Sequence, residues 1–386
     1  MGPSRATGAG LALLRLLLGL RHWFRYHPSG RAGAVLALLL AAMLAAALFP
    51  RTAVAHVKWF EDPARFPLRP DLIASERTAL TAGAVLGAVG LMYLLQRVAG
   101  DPHWPRLRFL RRMAIGAPTL LSVHAAITLV FVAVHQALLA PHLRLPAGPA
   151  GLLLAAAQIL VAFSFITGVL DWLAAIVLTI LVVLVAFLYS PLDALDQLLW
   201  AGIAVAVLII GRSAVTAGHV RPWFRARHRA WSARAVAALR ILAGLSLIGP
   251  ALDEKIWNPD IGAAFLADYP HFNVPRYLLG LTWFSDDLFV LVAGVVEATI
   301  GVLLASGLLT RVVILGMWVP FNVTVPFLPP QELLGHLPIF GTMYVLLVHG
   351  AGIAPGEPLD QEALPGVPRG VEDGLPDELS ARPASP

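Results

Sequence analysis

Hydrophobic residues along the chain form runs of about 18 to 25 positions, and short polar segments separate one run from the next. Apolar runs of this length with few charges are typical of helices that cross a membrane. Such runs lie at 34–50, 78–97, 113–138, 150–167, 170–189, 194–211, 235–252, 287–308, 311–328 and 334–352. The pattern predicts an all-α, polytopic transmembrane helical bundle with about ten spans.

The polar segments alternate in charge along the chain. Residues 1–33 contain five arginines and no acid, residues 96–112 five arginines and one acid, and residues 212–234 six arginines and no acid. The alternating segments 51–77 and 253–286 carry mixed or acidic charge. Because arginine-rich loops stay on the cytoplasmic side, the alternation predicts a bacterial plasma membrane protein with both termini in the cytoplasm.

Composition removes several classes of chemistry. The chain has no cysteine, so it supplies no disulfide, thiolate nucleophile or iron–sulfur ligand of its own. Its formal charge of +5 comes from arginines in short loops, which is not the basic face that nucleic-acid binding needs. The acidic, proline-rich segment 353–386 buries too little apolar surface to fold alone, and we expect a disordered cytoplasmic tail.

The start of the chain permits two interpretations. Ala53-Val54-Ala55 follows a hydrophobic stretch and resembles a signal-peptidase site, after which residues 1–55 would be removed. The 33 residues before that stretch are long for a leader and favour an uncleaved first span. Cleavage would leave an amino-terminal His56, which would still need a second histidine to hold copper, so copper is not favoured.

Shifting the sequence by 139 positions aligns the two halves of the chain, and it pairs Gln158 with Glu297. Apolar sequences align easily with one another, but parallel repeats are also a known architecture of membrane transporters, and we favour a repeat. The predicted organisation is a cytoplasmic segment 1–33, two N-terminal transmembrane helices in 34–112, a four-helix repeat A at 113–211, a basic linker 212–234, a four-helix repeat B at 235–352 and the tail 353–386.

Glu297 is a carboxylate near the middle of an apolar run. An ionised acid at that depth costs on the order of 2.5–3.5 kcal/mol on insertion scales, so the side chain should face protein or water. Small residues at Gly294 and Gly301 allow a neighbouring helix to approach it closely. A proton relay, a quinone hydrogen bond or an ion ligand are the functional interpretations. A structural pair with Arg240, or a protonated acid, is the alternative.

The only two lysines, Lys58 and Lys255, each lie within six residues of a tryptophan and a proline. One interpretation makes the two segments interfacial anchors, since tryptophan prefers the membrane boundary. The other is an outer polar pocket that binds a ligand. Its candidate residues are His56, Lys58, Trp59, Glu254, Lys255 and Trp257, with Asp286, Asp287, Glu332 and His336 near the mouth of the bundle.

No spaced cluster of histidines predicts a metal site. His124 and His135 lie on one predicted span, and His336 and His349 on another, so two bis-histidine haems could be drawn between them. Histidines in spans are more often packed side chains, and haem b is not favoured. A quinone stays open as a cofactor.

Repeat B resembles the DoxX/DoxD family of four-helix membrane proteins. The residues that carry the resemblance are Arg240, Glu254-Lys255, Glu297 with Gly301 and Gly307, Leu309-Thr310-Arg311, and the stretch from Glu332 to Pro338. The resemblance covers about 235–352, with a weaker tandem copy at about 113–211 in which Gln158 replaces the carboxylate.

That resemblance implies a membrane subunit associated with quinone-linked oxidation of sulfur compounds, such as thiosulfate:quinone oxidoreductase, or with another membrane oxidoreductase complex. Glu297 and Arg240 would carry the chemistry, and a redox protein partner would supply the electrons. A proton-coupled transporter of a small solute and a non-catalytic assembly scaffold are the alternatives, the first because of the parallel repeats and the central acid.

Overall fold

The computed structural model describes residues 57–100, 104–105, 108–210, 228–277, 279–324 and 330–352. The predicted first span at 34–50, the cleavage site and the tail lie outside the described residues. The described part of the chain is helical and has no β-strand, and an isolated bridge joins Ala137 and Arg144.

The main helices are numbered in chain order. They are α1 Glu76–Ala99, α2 Ala117–Val134, α3 Pro149–Thr167, α4 Asp171–Leu188, α5 Pro191–Asp196, α6 Leu198–Ile210, α7 His228–Pro250, α8 Pro259–Asp268, α9 Asp286–Ser306, α10 Thr310–Thr324 and α11 Pro330–His349. Shorter helical segments are Val57–Phe60, Pro63–Arg65, Pro70–Ile73, Arg108–Gly116, Pro270–Phe272 and Val274–Tyr277, and a π-helical turn Ala251–Ile256 continues α7.

Seven helical stretches in the described residues are long and apolar enough to cross a membrane. They are α1, α2, α3, α4, α5 with α6, α7 with its π turn, and α9. The prediction of a polytopic helical membrane bundle is therefore confirmed. The number of spans stays a prediction, because α10 has 15 residues and the apolar part of α11 is Leu333–His349.

The offset of 139 positions reappears in the secondary structure. Adding it to α3 gives 288–306, which lies within α9, and adding it to 191–210 gives 330–349, the bounds of α11. The turns match as well. Gly168 and Gly307 end α3 and α9 with φ of 72° and 82°, and Leu170 and Leu309 follow with φ of 53° and 44°. Both repeats therefore share one backbone course over these helices.

The repeats interlock through their first and last helices. The last helix of repeat A, α6, packs against α7, which is the first helix of repeat B, and α11 packs in the same way against α2. Within repeat B, α7 and α9 cross at Gly244 and Gly301. A Cβ at Gly301 would lie 2.7 Å from the Gly244 carbonyl oxygen, so glycine permits the close approach that the sequence predicted.

The bundle has two chemically different ends. At the lysine end, defined by Lys58 and Lys255, the segment before α1 meets the segment after α7 because Asn258 Nδ2 donates to the Phe66 carbonyl at 2.6 Å. At the arginine end, defined by Arg240 and Arg311, the Leu309 N–H donates to Gln96 Oε1 at 2.7 Å. The segments 51–77 and 253–286, which the charge pattern placed on one side, thus meet at one end.

Candidate functional site: a buried charge cluster

Lys58 is the centre of an ionic network at the lysine end. Its Nζ lies 3.1 Å from Asp193 Oδ1 and 3.4 Å from Asp196 Oδ2, and it forms a third ion pair with Asp253. The Lys58 side chain is only 8% exposed. Burial by itself disfavours the ammonium form, but the surrounding carboxylates, Asp196 foremost, outweigh it and raise the pKa of Lys58 above its ordinary range.

Local sequence places two of the three aspartates that Lys58 contacts. Ser190 caps α5, since its Oγ accepts the Asp193 N–H at 3.0 Å and donates to Asp193 Oδ2 at 2.7 Å, and Pro191 fits the first turn of the helix. Asp196, one turn later, lies against Gly249 of α7, where a Cβ would overlap its carboxylate. The Ser190 cap and the missing side chain at Gly249 thus allow the two acids of repeat A to lie against repeat B.

A second ionic contact joins α7 to the middle of α9. Lys255 Nζ lies 2.7 Å from Glu297 Oε2 and 3.8 Å from Glu254 Oε2. The Glu254 side chain is 2% exposed, and its Oε2 has no hydrogen-bond partner among the described residues. The π turn Ala251–Ile256 holds both Glu254 and Lys255 inside the bundle, and such turns recur at functional sites.

His142 completes the cluster from the loop that follows α2. Its Nε2 lies 3.7 Å from Asp193 Oδ1, and the side chain is 7% exposed. Neither ring nitrogen has a hydrogen-bond partner among the described residues. Burial lowers the pKa of His142, so the imidazole is neutral at pH 7. Both ring nitrogens therefore stay without the hydrogen bonds that a buried polar group normally makes.

The charge cluster, as we define it, has these eight members: Lys58, His142, Asp193, Asp196, Asp253, Glu254, Lys255 and Glu297. It sets five carboxylates against two ammonium groups, so full ionisation would leave an excess of three negative charges. Isolated buried charges cost several kcal/mol each, and the usual remedy is to neutralise them. The cluster is therefore suited to hold protons or a cation.

The predicted Arg240–Glu297 pair does not form. Arg240 Nε donates to the Ala351 carbonyl at 2.8 Å, and Nη1 donates to the carbonyls of Leu304 and of Ala305, the latter at 2.8 Å. These carbonyls lie at the C-terminal ends of α9 and α11, where the helix leaves its last acceptors unpaired. Arg240 thus ties two helix ends together at the arginine end, while Glu297 pairs with Lys255.

The structure brings three of the predicted pocket residues together, Lys58, Glu254 and Lys255, and it places Glu297, which was predicted separately as an acid inside a span, beside them. Other predicted members lie elsewhere. Asp286 pairs with Arg276 at 3.3 Å and Asp287 with Arg77 at 3.1 Å.

The remaining candidates are partly outside the description. His56 precedes the described residues, and the side chains of Trp59 and Glu332 are not described. The Trp257 indole is buried at its nitrogen, which has no hydrogen-bond partner among the described residues, and His336 is a half-buried residue of α11.

Sequence reasoning missed His142, Asp193, Asp196 and the role of Asp253. Asp193 is an acid in the first turn of α5, a common position that favours the helix dipole. No short motif connects His142 to acids about fifty positions away in the chain. The one available signal was the rarity of lysine, because a lone lysine beside apolar spans needs a carboxylate partner somewhere.

A haem at His124, which the histidine spacing allowed, does not fit between α2 and α11. Gly341 of α11 lies so close to α2 that an added Cβ would be 3.2 Å from Leu121 Cα and 3.3 Å from His124 Cβ. Because α2 and α11 are in direct contact at His124, no haem fits on that side of the imidazole ring.

Comparisons of the chain with family models, with curated proteins and with solved structures gave no match. The DoxX/DoxD resemblance therefore rests on the residues quoted for it above.

Proposed function

We propose that this protein is a membrane subunit that binds and releases a proton at Glu254, Lys255 and Glu297. The observation that carries the proposal is that two acids share the Lys255 ammonium group, Glu297 at 2.7 Å and Glu254 at 3.8 Å. The Glu254 side chain is only 2% exposed. One ammonium group compensates one carboxylate, so the second acid is stable when protonated. Glu297, which is 21% exposed, is the member through which the proton exchanges.

A quinone-linked or sulfur-compound oxidoreductase system is the setting that we propose for this proton, in line with the DoxX/DoxD resemblance. A quinone takes up protons together with electrons, so a proton-binding group beside the quinone site has a direct use. The electrons would come from a redox protein partner, since the chain has no cysteine to bind an iron–sulfur cluster.

Proton-coupled transport of a small solute is the second candidate. The observation that favours it is the position of the cluster between the repeats, because Asp193 and Asp196 belong to repeat A while Asp253 and Glu297 belong to repeat B. Transporters built from repeats bind their substrate and coupling ion at the junction between the repeats. Rocking of one repeat against the other would then expose the acids to each side in turn.

The location that we propose is the bacterial plasma membrane, with the arginine end and both termini in the cytoplasm. The arginine-rich segments 1–33, 96–112 and 212–234 support this orientation. The lysine end and its charge cluster would then open toward the outside.

Infrared spectroscopy of the purified protein tests the proton-binding proposal. We expect a protonated-carboxyl band that titrates with pH in the parent protein and is reduced in both Glu254→Gln and Glu297→Gln. Asp287→Asn is the matched control, since Asp287 is an exposed acid of the same helix paired with Arg77. A band that titrates identically in all four proteins would refute proton binding at this site.

Two further measurements separate the settings. Copurification of a quinone or a redox subunit that is lost in Glu297→Gln supports the oxidoreductase subunit. Solute uptake into reconstituted vesicles, driven by a pH gradient and lost in the same variant, supports the transporter. If Glu297→Gln changes neither partner recovery nor uptake, the chain acts as an assembly scaffold and both proposals fail.

A further inference from the structure

His142, Asp193 and Asp196 converge at one side of the charge cluster. One donor atom from each residue, an imidazole nitrogen or a carboxylate oxygen, lies within 4.8 Å of the other two. The imidazole comes from the loop between α2 and α3, and both carboxylates come from α5. One imidazole and two carboxylates are donors that divalent first-row metals accept.

A second observation points to a ligand at this place. His142 is 7% exposed and Asp196 is 6% exposed, yet the two ring nitrogens and Asp196 Oδ1 have no hydrogen-bond partner among the described residues. A buried polar atom without a partner is costly, and a metal ion would satisfy the imidazole and the carboxylate together. The orphaned atoms of His142 and Asp196 therefore indicate more than a chance grouping of acids.

Lys58 lies where a cation is needed. Its Nζ contacts Asp193 Oδ1 at 3.1 Å and Asp196 Oδ2 at 3.4 Å, and it also pairs with Asp253. The ammonium group therefore offsets part of the negative charge of the two aspartates. Because Asp253 already binds Lys58, the ammonium can leave Asp193 and Asp196 without losing every partner.

We propose that His142, Asp193 and Asp196 bind a divalent cation of the Zn²⁺ type, and that this cation competes with the Lys58 ammonium group for the two aspartates. Zn²⁺ binds nitrogen and oxygen ligands at about 2.0–2.2 Å, so the three donors move closer together when it binds. The added charge offsets the excess of carboxylates in the cluster. This inference goes beyond the proton-binding proposal and does not depend on it.

Calorimetric titration of the purified, tag-free, full-length protein with Zn²⁺ alone tests the site. We expect one Zn²⁺ per chain in the parent protein and binding at least tenfold weaker in both His142→Ala and Asp196→Asn. His271→Ala is the matched control, since His271 is an exposed histidine outside the cluster, and its binding should not change. Absence of Zn²⁺ binding in the parent, or equal binding in His142→Ala, overturns the proposal.

Competition by Lys58 gives an independent measurement. Removing the ammonium group in Lys58→Met should tighten Zn²⁺ binding at least tenfold, and weaker or unchanged binding in a variant that elutes as a folded species contradicts the competition. If that variant does not fold, the parent protein still decides the question, because Zn²⁺ binding should expose Lys58 to amine-reactive reagents. Unchanged Lys58 reactivity with bound Zn²⁺ would overturn the competition.

The two proposals fail separately. Glu297→Gln should keep Zn²⁺ binding within twofold of the parent, because Glu297 is not one of the three ligands. His142→Ala should keep the titrating carboxyl band. A parent protein that binds Zn²⁺ but shows no titrating carboxyl band refutes only the proton-binding proposal, and one that shows the band but binds no Zn²⁺ refutes only the metal site.

Discussion

Lys255 and Glu297 form an ion pair with 2.7 Å between Nζ and Oε2, and this pair marks the chemical difference between the two repeats. Gln158, the repeat A equivalent of Glu297, instead accepts the Leu139 N–H at 2.8 Å and donates to the Ala137 carbonyl at 3.0 Å. The Gln158 amide forms hydrogen bonds with backbone groups of the loop after α2, whereas the Glu297 carboxylate pairs with the Lys255 ammonium group. Only repeat B thus has an ionisable group at this position.

Removing the ammonium group of this pair should destabilise the protein strongly. Lys255→Met leaves the buried Glu254 and the half-buried Glu297 without their shared cation, and we expect a loss of about 3–5 kcal/mol in the free energy of unfolding. Reversible unfolding in mixed detergent micelles measures it. The double variant Lys255→Met/Glu297→Gln should recover part of the loss, because one uncompensated charge is gone.

Arg69→Met is the control for that pair. Arg69 contacts Asp71 at 2.9 Å, but both side chains are exposed, so solvent screens the interaction and the stability should hardly change. Equal losses in Lys255→Met and Arg69→Met would contradict a buried ion pair at Glu297.

The crossing of α7 and α9 should not tolerate a methyl group. In Gly301→Ala the new Cβ would lie 2.7 Å from both the Gly244 carbonyl oxygen and Ile248 Cγ1, so the helices must separate, at a cost of about 1–3 kcal/mol. The same unfolding measurement applies. Gly87→Ala is the control, since a Cβ there meets no described atom within 4 Å, and a stable Gly301→Ala protein would show that the helices cross elsewhere.

Arg240 should prove to be a structural residue. Arg240→Lys cannot reproduce the contacts to Ala351, Leu304 and Ala305, because a lysine lacks the planar fork of donors. We expect a loss of about 1.5–3 kcal/mol in stability with an unchanged titrating carboxyl band. Arg234→Lys, at an exposed position of the same helix, should change neither quantity. A lost band in a stable Arg240→Lys protein would restore its catalytic role.

Labelling of single cysteines tests the orientation, since the parent chain has none. Ala267 is an exposed residue of α8 at the lysine end, and Ser306 is an exposed residue at the opposite end of α9. We expect a membrane-impermeant maleimide to label Ala267→Cys in intact spheroplasts and to label Ser306→Cys only after lysis. The reverse pattern would invert the topology.

The sequence predicted part of the cluster because particular residues are unusual in their setting. Glu297 inside an apolar run and the only two lysines at span boundaries stand out against 58% hydrophobic composition. Asp193 and His142 do not stand out, since an acid in a helix's first turn and a histidine in a loop are common. The predicted pairing of Arg240 with Glu297 was wrong because the partners of Arg240 are backbone carbonyls, which no sequence pattern displays.

The sequence by itself determined the long apolar helices among the described residues, their approximate ends and the repeat, because hydrophobic run length, glycine turns and proline positions act locally. Only the tertiary structure decided which acids meet which lysines. The Lys58–Asp193 contact joins residues 135 positions apart, and it depends on how α5 packs against α7 at Gly249. Packing over such separations sets the distances between charges, and those distances determine whether the cluster holds protons, a lysine or a metal ion.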